Sequence, residues 1–284
     1  DEDLNVLNTR EKQRYLISDE DIEAYQREVI PYWTGRSQRD RIFSRVPGEW
    51  KVAYESGLFT EFMEQRAPGH TCLDGKIYKK GMLDFKKEIE ESIGKLDYFN
   101  DPEATDKEEQ LRAMSLSCDA LIRLGERHAE KAEEMAKQEK NPERVQELIR
   151  IAEVCRWVPA HAPRNFREAI QMYWFVHLAV ITELNGWDSF NPGHFDQHLA
   201  PFYEADIKNG LLTREEAKEL LCCFWIKVNN QPAPPKVGIT ANESGTYNDF
   251  TNINLGGVKP DGSDGVNDVS YLMLEVIEEL HILQ

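Results

Sequence analysis

The sequence predicts a helix-rich fold, on three observations. Helix-start signals recur along the chain, each followed by an apolar pattern of helical period. One segment, FREAIQMYWFVHLAVITEL, is apolar nearly all round between Met172 and Ile181, which marks a buried core helix. Only one short strand candidate appears, Phe250–Leu255.

The elements follow in order. Ser18, with Asp19, Glu20 and Asp21 behind it, opens a helix through Val29 that Pro31 is expected to end. A short helix covers Gln38–Phe43, and another covers Trp50–Leu58 after the break at Pro47-Gly48. Asp74-Gly75 predicts a turn. Apolar residues at 82, 83, 85, 89, 93 and 96 predict a helix over Met82–Leu96. A long helix runs from Asp106 to Lys137. Its polar second half carries one favourable Glu133–Lys137 spacing and reads either as a solvated face or as a coiled coil for a partner. Asn141-Pro142 caps a helix to Trp157, and Pro159 and Pro163 bracket a rigid link containing His161. Asn165 and Glu168 form a capping box for the core helix, in which His177 reads as a satisfied core histidine. Asn191-Pro192-Gly193 turns into a helix ending at Asn209-Gly210. It carries His194 and His198, whose spacing fits helix packing or, with further ligands, a metal. Thr213 and Glu216 open the next helix, to Lys227, where Cys222 and Cys223 read as packing groups. Asn267 or Asp268 caps the last helix, to Leu280.

Bulk composition narrows the function. The 284 residues carry a net charge of −17, which disfavours nucleic acid and anionic membrane surfaces as partners. Five irregularly spaced cysteines without a CxxC fit a reducing cytoplasm rather than a disulfide framework. No GxGxxG, Walker A, GxSxG or HExxH occurs. Both ends look cut, as in a segment of a longer polypeptide.

Three stretches invite chemistry. In FTEFMEQRAPGHT, Ala67-Pro68-Gly69 forces a turn directly before His70. The stretch reads as a helix end with a surface loop, or as a device that aims a histidine. In GWDSFNPGH, Asp188 sits between Trp187 and Phe190, costly for an acid unless it is paired or used. From Gln231 to Gly257, 27 residues show little regular pattern, and loops of that length in compact domains are usually functional.

The segments PYWTGRSQRDRIF, FTEFMEQRAPGHT, IYKKGMLDFKKEI, VPAHAPRNFREAIQMYWFVHL, FDQHLAPFYEADIKNGLLTREEA and GGVKPDGSDGVNDVSYLMLE together resemble the N-terminal portion of glycyl radical enzymes, relatives of pyruvate formate-lyase. FTEFMEQRAPGHT and NNQPAPPKVGIT, with ES-TY-DF after them, resemble most the branch that dehydrates trans-4-hydroxy-L-proline. The resemblance implies an α/β, helix-rich fold, with 1–284 forming the N-terminal part of a single domain built on a ten-stranded β/α barrel. It implies catalysis by a thiyl radical that abstracts hydrogen beside the ring nitrogen, followed by loss of the 4-hydroxyl. It further implies a protein-based radical on a glycine outside this segment, a radical-SAM activating enzyme with an iron–sulfur cluster as partner, and a cytoplasmic, anaerobic homodimer. No bound cofactor or metal is expected in the segment itself.

The resemblance carries five positions over. His70 and Asp188 are expected to be catalytic, with His70 on the 4-hydroxyl and Asp188 on the ring ammonium. Phe62 and Phe250 are expected to wall the substrate, and Ser244 to donate to its carboxylate. The chain departs from the family pattern in having no radical-bearing Cys loop of Gly-Cys-Val-Glu type and no RVxGY glycine motif, so the segment alone is expected to be inactive. It also has His194 where close relatives carry Arg or another residue. The alternatives are another glycyl radical lyase (an arylacetate decarboxylase, a diol dehydratase or a formate C-acetyltransferase-like enzyme) and a non-catalytic helical module.

Overall fold

The fold is organised around one helix, in the computed structural model of the chain. The structure describes residues 8–9, 16–58, 73–184, 191–229 and 251–282.

From Asp19 to Glu55 the described residues form three helices. α1 starts at Asp19–Ala24, passes through a π-helical turn Tyr25–Val29 and continues as Ile30–Trp33. Ser18 caps it by accepting from Asp21 N–H, while the Asp21 carboxylate reaches back to Ser18. Pro31 does not end this helix, contrary to the sequence expectation. Its ring would clash with the carbonyl four residues back in a regular helix, but the wider turn before it bonds Ile30 N–H to Tyr25 O instead. α2 (Gln38–Phe43) and α3 (Gly48–Glu55) follow.

A 3₁₀ turn, Asp74–Tyr78, leads into α4 (Met82–Ile93) and then into α5 (Ala104–Gln138), a helix of 35 residues. The turn at 139–141 reverses the chain. The Glu139 carboxylate accepts from the N–H groups of Lys140 and Asn141, and Asn141 caps α6 (Pro142–Trp157). α5 and α6 pack as a hairpin through small residues: Ala129 and Ala132 meet Ala152 and Cys155 beside Phe175. Gly125 shows how close the backbones come, because a Cβ there would lie 2.9 Å from Cys155 O. The polar half of α5 therefore has two faces. One is solvated. The other covers α6, and its Glu133 pairs with Arg156 at 2.8 Å rather than with Lys137.

α7 (Phe166–Leu184) is the core helix. Phe166, Met172, Tyr173, Phe175 and Val176 are all almost fully buried. Burial of a side chain of that size contributes about 1.5–3 kcal/mol. α8 (Phe195–Lys208), α9 (Arg214–Asn229) and α10 (Asp268–Leu280) pack around it. Two of the described buried acids are held by donors near the start of α7. Glu168 accepts from Arg164 N–H at 2.7 Å and from its guanidinium, and Asp206 accepts from Phe166 N–H at 2.8 Å, supplying an N-terminal partner to α7 from α8.

The helix-rich reading holds. Among the described residues there are no strands, only isolated bridges at His194–Asn254 and Val258–Asp264. The strand candidate Phe250–Leu255 is described from Thr251 onward, and there it makes the single bridge at Asn254. A strand needs a neighbouring strand to satisfy its backbone, and here the neighbour is the start of a helix. No described helix is long and apolar enough to cross a membrane.

Candidate functional site

Phe62, His70, Asp188, Ser244 and Phe250 all lie outside the described residues. The described residues do include the anchors of the three segments that carry them, and these anchors meet around the first turn of α8.

The first anchor is the 3₁₀ turn that follows the His70 stretch. Leu73 and Asp74 both take positive φ, at 54° and 46°. His198 donates from Nε2 to Asp74 Oδ1 at 3.0 Å, and its ring stacks on Tyr78 at 5.1 Å between centroids. Burial holds the His198 pKa below the ordinary histidine value, with the Asp74 carboxylate opposing the shift. His198 therefore packs the turn onto α8, as helix packing predicted.

The second anchor is 191–195, which follows the Asp188 stretch. Gly193 (φ 71°) turns the chain, and the Asn191 side chain accepts from Gly193 N–H at 3.0 Å. Phe195 is fully buried against Tyr173 and Phe224. His194 is exposed and lies against the backbone of Gly257, where a Cβ would stand 3.0 Å from its ring.

The third anchor is 251–257, which follows Phe250 directly. Thr251 is buried, with its hydroxyl 3.3 Å from His177 Nε2, and the Tyr173 hydroxyl is 3.0 Å from His177 Nδ1. His177 is thus the satisfied core histidine expected, and it also ties this anchor to α7. Phe195 N–H reaches Asn254 O at 3.3 Å. Asp196 is fully buried and accepts from Gly256 N–H at 2.7 Å and from the Ser270 hydroxyl.

Sequence reasoning missed Asp196. An acid in the first turn of a helix is ordinarily a solvated partner of the helix dipole, and nothing local says that its donors arrive from 256 and 270. The Gly256-Gly257 pair is the one signal that a backbone must approach something closely there.

The four described cysteines show no activated thiol. Cys118 and Cys155 are buried free thiols, with Cys155 pushed up to about 11 by burial. Cys222 packs partly against the core. Cys223 is exposed, so only the first of the pair is the packing group expected. Among the described residues, no cluster of His, Cys, Asp or Glu is arranged to hold a metal. A shallow concavity of about 370 Å³ lies at the α5–α6 turn, between Met135, Arg144 and Leu148, and it shares no residue with the anchors.

Comparison with known proteins places these observations. A family described as pyruvate formate lyase-like matches residues 1–284. The trans-4-hydroxy-L-proline dehydratase of Clostridioides difficile is 54% identical over 283 residues, covering 100% of this chain and 36% of that protein. The crystal structure of the hydroxyproline dehydratase from that organism, with substrate trans-4-hydroxy-L-proline bound, superimposes with a TM-score of 0.88 at 54% identity, again over 100% of this chain and 36% of that one. The glycerol-bound, B12-independent glycerol dehydratase of Clostridium butyricum gives a TM-score of 0.82 at 32% identity, over 100% of this chain and 35% of that one. The chain thus spans about a third of the length of the relatives it matches.

Proposed function

The chain belongs to the pyruvate formate lyase-like family of glycyl radical enzymes, and from that premise we propose that the whole protein dehydrates trans-4-hydroxy-L-proline to a pyrroline-5-carboxylate. One observation carries the reading: 54% identity, end to end, to a trans-4-hydroxy-L-proline dehydratase. At that level, against 32% for the glycerol dehydratase, the substrate class follows the closer relative.

In this reading 1–284 is the N-terminal portion of one barrel domain and contributes the wall that holds the substrate. The Asp188 carboxylate pairs with the ring ammonium in a dry site, where a charge-assisted hydrogen bond is strong. His70 hydrogen-bonds the 4-hydroxyl and delivers a proton as it departs as water. Ser244 donates to the substrate carboxylate. Phe62 and Phe250 enclose the ring and exclude water. The convergence of the three anchors supports gathering these side chains in one place. The glycyl radical, on a glycine outside 1–284, supplies the one-electron chemistry. Its installation calls for a radical-SAM activating enzyme with an iron–sulfur cluster, and the same reading carries a cytoplasmic homodimer. The chain 1–284 alone is expected to be inactive.

The test is an anaerobic assay of the activated full-length protein against trans-4-hydroxyproline, glycerol, propanediol, isethionate, choline and arylacetates. Pyrroline-5-carboxylate formed from hydroxyproline is the expected result. Turnover of another substrate with none of hydroxyproline would overturn the assignment.

A further inference from the structure

We propose that Asp196 is a positioning residue for the substrate pocket, acting through the backbone of 251–257. The inference rests on the functional reading above, because that reading puts Ser244 and Phe250 in the segment that 251–257 ends.

Asp196 is fully buried, and among the described residues it accepts from neutral donors: Gly256 N–H at 2.7 Å, the Ser270 hydroxyl, and Gln197 N–H at 2.8 Å. A buried carboxylate supported by neutral donors is costly unless its geometry is needed. Its place in the first turn of α8 lets the helix dipole offset part of that cost. Ser270 in turn accepts from Asn267 N–H at 3.0 Å, so one carboxylate joins the starts of α8 and α10 to the chain at Gly256. The neighbouring Gln197 takes the other side of the same residue, donating from Nε2 to Gly256 O at 2.6 Å. Gly256 sits at φ +64°, and a Cβ on it would meet Val266 Cγ2 at 2.9 Å, so any other residue would strain the clamp.

The other end of this piece is held separately, through Thr251 on His177. Phe250 is bonded directly to Thr251. A backbone pinned at both ends of 251–256 transmits little slack to its neighbour, and displacement of a site group by about 1 Å costs on the order of 100-fold in rate.

The experiment uses full-length activated enzyme carrying Asp196→Asn, with Ser270→Ala as a milder companion. Asparagine conserves the volume but turns one acceptor oxygen into an NH₂ group that faces donors. Radical content per protein is measured by electron paramagnetic resonance to normalise the rates. For Asp196→Asn, kcat/KM for trans-4-hydroxyproline per radical is expected to fall about tenfold or more, with KM raised and radical content unchanged. Hydrogen exchange of the 251–257 amides is expected to quicken by at least tenfold, while the amides of α7 hold. Ser270→Ala shifts both readouts the same way by less. A loss of rate that merely follows radical content, with KM unchanged, overturns the proposal, as does unchanged exchange at 251–257. If the wild-type enzyme turns over a different substrate, the hydroxyproline reading fails by itself. KM for that substrate and the exchange rates then decide the role of Asp196.

Discussion

Gly81→Ala tests how the α4 start is docked. Gly81 has φ −93° and ψ 176°, which alanine adopts freely, so the cost is not in the backbone angles. It lies in space. A Cβ at 81 would stand 2.3 Å from Ala160 O and from His161 Cα, and 2.4 Å from His161 C. These are backbone atoms and cannot rotate aside. Relief to ordinary contact needs a separation of about 1 Å. That movement breaks two hydrogen bonds that dock α4 on the link after α6, Met82 N–H to Pro159 O at 2.9 Å and Leu83 N–H to Ala160 O at 3.0 Å. Two lost bonds cost about 1 kcal/mol each, and the overpacking roughly 1–3 kcal/mol. The sum is about 3–5 kcal/mol of local stability. Hydrogen exchange reads it directly: the amides of Met82 and Leu83 should exchange on the order of 100-fold faster or more. Gly94→Ala is the control, because its nearest neighbour is 3.6 Å away. Equal protection at Met82 and Leu83 in the two variants would refute the steric argument.

Three further outcomes are expected. Asp188→Asn in the full-length activated enzyme should abolish turnover of hydroxyproline with the fold retained by circular dichroism, and near-wild-type dehydration would remove Asp188 from the site. The folded protein holds the His198 pKa below its unfolded value, so the unfolded state binds more protons as the pH falls. The stability gained by burying His198 in its neutral form is present above about pH 6.5 and is lost as the pH falls through the lowered folded value, because the buried ring must then take up a charge. An NMR titration should place His198 under the ordinary value, and His198→Asn should flatten that part of the stability profile. Among Cys118, Cys155, Cys222 and Cys223, iodoacetamide at pH 8 should label Cys223 first and Cys155 last. Cys223 is exposed, whereas Cys155 is buried with its thiol pushed up to about 11. Peptide mass mapping checks the order.

The helices were legible in the sequence because their causes are local. Ser18, Asn141, Thr213 and Asn267 each cap within three residues of themselves, and the apolar period of α4 and α7 needs no partner to be seen. Local pattern drew attention to His70 and Asp188, but the proposed pocket roles of all five residues rest on the family resemblance, since a turn before His70 or an acid beside Trp187 has no unique local meaning. What the tertiary structure decided are contacts between groups far apart in the chain. Asp206 serves the start of α7 from 40 residues away, Asp196 meets Gly256 across 60, and His198 meets Asp74 across 124. Two expectations failed for different reasons, one distant and one local. Glu133 found Arg156 on the facing helix instead of its local lysine, and Pro31 was absorbed by a change of helical hydrogen bonding that its neighbours do not announce. By itself the sequence determined which segments are helical and which family they belong to. Only packing decided which side chains grip the backbone at 73–78, 191–195 and 251–257, because such a hydrogen bond exists only after distant segments have been brought together.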